Sequence, residues 1–252
     1  MNEGLLAWRI INHSINQIFS NLNTAFKLTA VLWLFYSIYT VYVFLFGIPL
    51  YDFFWNILLV VIGLWIAIAW HRFILKDEHS TILIPRFYGK NMLSYFWVVV
   101  LIFLILCIPI IGIIIIFVYL GLDFAIFFNQ DLENPLEIWI YPGFLGLYAT
   151  ISIFYYAFLL RWGACFPAIA IGSKLGLKLS WQATKGHNWS FLGLSVFLSI
   201  ITGLIYVIVP FVFQGSVLSL IWSILSGWII MMLNISVLTT IYGYFIEKRP
   251  LT

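Results

Sequence analysis

Charge is scarce in this sequence. Lys, Arg, Asp and Glu together make up 8% of its 252 residues, against roughly a quarter in a soluble domain. A chain so poor in charge cannot clothe itself in polar groups, which excludes an ordinary soluble fold. Cysteine is nearly absent: Cys107 and Cys165 stand alone in apolar surroundings without a CxxC spacing. They read as buried thiols, not as a disulfide or a metal site. The alternation of polar and apolar residues that marks strands of a membrane barrel is missing too. The opening MNEGLLAWRI has no basic leader, immediate apolar run or small-residue cleavage site, so no cleaved signal peptide is expected. No charged residue falls in the middle of a long apolar run. Such charges usually mark ion or proton pathways, and their absence argues against a proton-coupled carrier.

What the chain does have is apolar length. Hydrophobic residues make up 64% of it, and a helix needs about 20 of them in a row to cross a bilayer. The expected fold class is all-α: one integral membrane domain over 1–252 with six transmembrane helices, at 28–50, 53–70, 93–120, 138–160, 190–213 and 216–246. The segment 53–70 is short, with His71 and Arg72 placed to snorkel beyond it. Pro109 and Gly112 predict a kink or tilt in the third span. Pro210 and Gln214-Gly215 divide the stretch 190–246 into a hairpin. Ahead of the spans, residues 4–26 repeat Leu5, Trp8, Ile11, Ile15, Ile18, Leu22 and Phe26 at helical spacing. That pattern predicts an amphipathic helix lying along the membrane surface.

The cations fix an orientation. Every Lys and Arg falls in the N-terminal segment, in the 71–90 loop, in the 161–185 loop or at the C-terminus. Asp123, Asp131, Glu133 and Glu137 lie in the connection between the third and fourth spans. With six spans all twelve cations share one side, and the positive-inside rule makes that side, with both termini, cytoplasmic. A weak three-fold repeat also shows, in which an asparagine-bearing polar segment precedes each pair of spans: NLNTAFKL at 21–28, YGKNMLSYF at 88–96 and TKGHNWSF at 184–191.

The most polar connection is RWGACFPAIAIGSKLGLKLSWQATKGHNW, residues 161–189. At about 100° per residue Lys174, Lys178 and Lys185 fall in one sector beside Gln182. Gly186 then supplies a helix stop. A short basic interfacial helix over 174–185 is expected. Its lysines reach lipid phosphates, and Trp162, Trp181 and Trp189 sit at headgroup depth. With Arg161, these seven residues form the candidate contact with anionic headgroups. The pattern R-W-x4-P-A followed by S-W-x2-T-K-G-x2-W is carried by Arg161, Trp162, Pro167, Ala168, Ser180, Trp181, Thr184, Lys185, Gly186 and Trp189. It resembles bacterial multi-pass membrane proteins such as the YciC-like inner-membrane proteins and the membrane domain of some glycerophosphoryl diester phosphodiesterases. AWHRFIL at 69–75 and PRFYGKNMLSYF at 85–96 resemble them less closely. The resemblance implies a bacterial inner membrane and a role in the envelope. His71-Arg72 looks like the start of the phosphodiesterase catalytic domain, but no glycine follows and no carboxylate-bearing barrel is present.

Other chemistry fares worse. HRFILKDEH at 71–79 offers two histidines and two acids but no rigid frame for zinc, and is read as a solvated loop. Asp131, Glu133 and Glu137 lack a calcium-loop spacing; a short interfacial helix starting near Asn134-Pro135 is expected there. Asn56 and Asn234 read as interhelical hydrogen-bonding groups. No nucleophile and base pair, phosphate loop or nucleic-acid motif appears. The sequence therefore points to a non-enzymatic inner-membrane protein without cofactor or metal, in contact with anionic lipid, with a membrane-protein partner or a second copy of itself as further candidate partners. A transporter or channel for a small neutral or lipidic substrate, or an accessory subunit of a larger complex, are the alternatives.

Overall fold

The computed structural model of the chain describes residues 3–47, 52–78, 84–119, 135–205 and 216–251. The described residues are helical, with no strand among them. In chain order the helices are α1 (Glu3–Ser20), α2 (Leu22–Phe46), α3 (Asp52–Lys76), α4 (Gly89–Tyr119), α5 (Pro135–Gly163), α6 (Cys165–Ile171), α7 (Leu177–Ala183), α8 (Asn188–Gly203) and α9 (Val217–Phe245). Five of the described helices, α2, α3, α4, α5 and α9, are long and apolar enough to cross a membrane, and α8 is apolar but shorter. The second half of the span expected at 190–213, with its hairpin turn, lies outside the described residues. So does most of the acidic connection, although α5 starts at Pro135, where a missing N–H costs a helix nothing.

Helix α9 is the centre of the bundle. Most of its apolar window is buried, against a small part of α2's and α4's. It packs on α1, α2, α3 and α6. Large apolar side chains instead stand exposed along α2 (Leu34, Phe35, Ile38, Leu45), the first half of α3 (Phe53, Phe54, Ile57) and α4 (Leu93, Trp97, Phe103, Leu104). In water such a surface would be prohibitive; in lipid it is the ordinary outer face.

Several expected boundaries move. The N-terminal segment is two elements, because the helix turns at Asn21, where Asn21 Nδ2 donates to Gln17 O at 2.8 Å. Helix α1 is docked on α8 and α9, and the face it buries is Leu6, Ala7, Ile10, Ile11, Ser14 and Ile18. Leu5 and Trp8, which belong to the expected apolar face, are exposed. The reason is polar: Ser14 Oγ lies 2.9 Å from Thr240 Oγ1, and Ser236 Oγ donates to Gln17 Oε1 at 2.6 Å. Those bonds rotate the helix so that its small and hydroxyl residues meet α9. Helix α3 continues through His71 and Arg72 to Lys76, which corrects the solvated-loop reading of 71–76. Pro109 lies inside α4, which runs on to Tyr119.

The polar ends gather at one end of the bundle. Helix α6 lies among α3, α4, α5 and α9 with most of its seven residues buried. Its last carbonyls need donors. Arg72 Nη1 reaches Ala170 O at 2.9 Å, and Asn91 Nδ2 reaches Ile169 O at 2.6 Å. Gly172, at φ 81, closes the helix by letting Ser173 N–H turn back to Ala168 O at 2.8 Å. At the same end Arg9 donates to Leu251 O at 3.0 Å and Arg249 to Leu75 O at 3.1 Å. The end of α3, the start of α4, the end of α5, the start of α8 and the end of α9 therefore meet there, with both chain termini.

Candidate functional site

Two polar groups at this end, His71 and Arg161, are buried. His71 is completely buried on α3. Thr239 spends its hydroxyl hydrogen on Ile235 O at 2.9 Å, so its oxygen accepts from His71 Nδ1–H at 2.8 Å. That network assigns the Nδ1 tautomer. Nε2 then faces Tyr95 Oη at 3.5 Å, and the Tyr95 ring stacks on Phe166 of α6. The arrangement ties α3, α4, α6 and α9 together. Among the described residues no group of three metal-ligating side chains occurs.

The second group is Arg161, in the last turn of α5. It is 7% exposed, enclosed largely by neighbouring side chains. Helix α7, only seven residues long, folds back over it. Ser180 Oγ donates to Arg161 O at 2.6 Å, satisfying one of the carbonyls that the end of α5 leaves free. Thr184 is likewise buried and accepts from Arg161 Nε at 3.2 Å. The guanidinium lies 3.5 Å from the Trp181 ring centroid, close enough for a cation–π contact. Trp181 in turn stacks on Phe158 with an interplanar angle of 3°. Asn188, at the start of α8, accepts from Nη1 at 2.7 Å.

Arg72, at the matching end of α3, also lies over an aromatic ring, but it has a carboxylate partner. Its guanidinium lies 3.9 Å from the Tyr88 ring centroid, and Nη2 pairs with Glu78 Oε2 at 2.8 Å. Glu78 also accepts from Tyr88 Oη. Among the described residues no carboxylate pairs with Arg161: its partners are a hydroxyl, an amide oxygen and, at 3.4 Å, the Trp181 carbonyl. A guanidinium has five N–H donors, so donors remain free here beside an uncompensated charge. Such a charge is costly unless an anion answers it.

Arg161 also lines a cavity of about 410 Å³ between α5, α7 and α8, whose other walls include Phe154, Ala157, Phe158, Phe191 and Leu192. Trp181, Asn188 and Trp189 line it too. The cavity is thus apolar with one cationic group.

Of the seven residues expected at headgroups, Arg161 and Trp181 are in direct contact. Trp162 is half-buried with its ring 5.8 Å from Trp181, and Trp189 is 70% exposed at the cavity. Lys174, Lys178 and Lys185 are exposed. They do not share one helix: Leu177–Ala183 is helical, Gly176 is extended, and Gly186 turns at φ 87. The basic helix expected over 174–185 is corrected to this shorter element. Glycine twice in five residues at 172–176 and the tie from Ser180 to α5 explain its length. Sequence reasoning passed over Ser180, Thr184 and Asn188 as site residues, although Ser180 and Thr184 belong to the motif singled out at 180–189. Their spacing of four on a short helix was the available signal.

The asparagines of the repeat do separate jobs. Asn21 and Asn91 donate to carbonyls while Asn188 accepts from Arg161. Asn234 accepts from Tyr156 Oη and donates to Ile230 O at 2.9 Å, an interhelical tie. Asn56 is exposed near the start of α3, at the opposite end from His71, and it is not among the residues lining the cavity at Arg161. Compared with family models, curated proteins and solved structures, the chain finds no match.

Proposed function

We propose that this chain is a non-enzymatic protein of the bacterial inner membrane with six spans and cytoplasmic termini, whose role is contact with anionic lipid in the cytoplasmic leaflet. One observation carries the reading. The polar end of the bundle gathers the chain termini, the ends of α3, α5 and α9 and the starts of α4 and α8, and all twelve Lys and Arg of the sequence lie in those segments, in the connections that join them, in α1 or at the start of α2. Short loops rich in Lys and Arg stay on the cytoplasmic side, and an anionic leaflet attracts them. The same end supports a sixth span: α8 starts there and leads away from it, and α9 finishes there. At 1.5 Å per residue the sixteen residues of α8 cover about 24 Å, most of the hydrocarbon core.

Reporter fusions test the orientation. Fusions at residue 80, at residue 180 and at the C-terminus should report the cytoplasm, and a fusion near residue 130 the opposite side. A cytoplasmic signal at 130 would remove the six-span reading. Copurified lipid tests the role: it should be richer in anionic headgroups than the parent membrane. Bound lipid of bulk composition would leave the chain without the proposed contact.

A further inference from the structure

We infer that the cavity between α5, α7 and α8 is a binding site for one phospholipid with an anionic headgroup, whose phosphate is held by Arg161 and whose acyl chain lies along Phe154, Ala157 and Leu192. This rests on the cytoplasmic-leaflet reading above and adds to it a single built site.

Three features point to this ligand. The first is the charge, buried, stacked on Trp181 and without a carboxylate, where Arg72 has Glu78. The second is spare donor capacity aimed at one place. Arg161 keeps unused N–H groups, and the Nδ2 of the exposed Asn188 has no partner among the described residues. A phosphate diester takes hydrogen bonds of this charge-assisted kind. The third is direction. Phe154 lies seven residues before Arg161 on α5, about 10 Å deeper toward the bilayer centre. One end of the cavity is therefore cationic and the other apolar, the polarity of a lipid standing in its own leaflet. A free phosphate would match the first end and leave the second unfilled.

The test uses the full-length protein in zwitterionic detergent, titrated with phosphatidylglycerol and followed by native mass spectrometry. The decisive variant is Asn188→Asp. It is nearly isosteric at an exposed position and keeps the bond to Arg161, while placing a carboxylate where the phosphate would compete. Phosphatidylglycerol retention should fall about tenfold or more, the worth of one charge-assisted interaction. Arg161→Gln, which keeps polar contacts to Thr184 and Asn188, should fall as far. Replacing Lys174, Lys178 and Lys185 together by glutamine should change retention of this one lipid much less. Inorganic phosphate at millimolar concentration should not displace it.

Unchanged retention in Asn188→Asp would overturn the proposal. So would displacement by inorganic phosphate, which would make the cavity a plain anion site. Loss in the triple lysine variant alone would mean a diffuse surface attraction; the site would fall and the lipid-contact reading would stand. Wild-type protein that prefers phosphatidylcholine would take both down.

Discussion

His71→Ala should destabilise the folded bundle by about 2–5 kcal/mol, the range of large-to-small changes in a packed core. The imidazole is completely buried, so its removal leaves a cavity that surrounding helices cannot readily fill. It also leaves Tyr95 Oη without its nearest acceptor, and an orphaned buried donor costs about 1–3 kcal/mol in its own right. Thr239 suffers less, since its hydroxyl still donates to Ile235 O. A double-mutant cycle separates packing from hydrogen bonding. His71→Leu restores most of the volume, and Thr239→Val removes the partner. Between membrane helices such pairs couple by about 0.6 kcal/mol on average and rarely beyond about 1.7. Unfolding in mixed micelles of increasing denaturing-detergent fraction reads all four proteins. If His71→Ala unfolds with wild type, the ring does not fill the space between α3, α4 and α9. If the cycle shows no coupling, His71 is there for its shape alone.

That His71 falls at the same end of the bundle as Arg161 was legible; its burial was not. Charge distribution puts residues 71–90 on one side of the membrane but says nothing about depth, and in the sequence His-Arg after a greasy run looks like the place where a helix surfaces. What keeps His71 inside is Thr239, 168 positions away, and a contact at that separation leaves no local pattern. The helices themselves were readable because a run of apolar residues has one solution in lipid. Their ends were not, since helix termini depend on which carbonyls find donors. Asn21 ends α1 early, and Ser180 pulls α7 against α5. The candidate site divides the same way. Arg161 and Trp181 stood out as a cation and an aromatic at a membrane edge. That the arginine is enclosed and lacks a carboxylate, while Arg72 has one, is visible only when Glu78, Thr184 and Asn188 are placed in space.

Ala7→Phe should separate the two accounts of the N-terminal helix, because they predict opposite signs. If α1 floated on the membrane surface, a phenylalanine beside Trp8 would add apolar area and tighten its hold. In the structure Ala7 is fully buried where α1 crosses α8, and a Cβ built on Gly193 would sit 3.4 Å from the Ala7 Cβ. Small residues at such crossings let helix backbones approach. A benzyl group there forces the helices apart, at a cost of about 1–3 kcal/mol or more. Gly193→Ala, by contrast, adds a contact near the ordinary van der Waals limit and should be nearly silent. The displacement does not stay local. Glu3 Oε2 accepts from Ser190 N–H at 3.2 Å, and Ser190 Oγ donates to Glu3 O at 3.0 Å, so α1 holds the first turn of α8 two residues beyond Asn188. Lifting α1 frees that turn and loosens the amide that orients Arg161. Ala7→Phe should therefore become cleavable by protease within residues 3–20 while the spans stay intact, and its retention of phosphatidylglycerol should fall with it. Protection equal to wild type would mean that α1 is not docked through Ala7. Cleavage with full lipid retention would mean that the first turn of α8 keeps its place without α1.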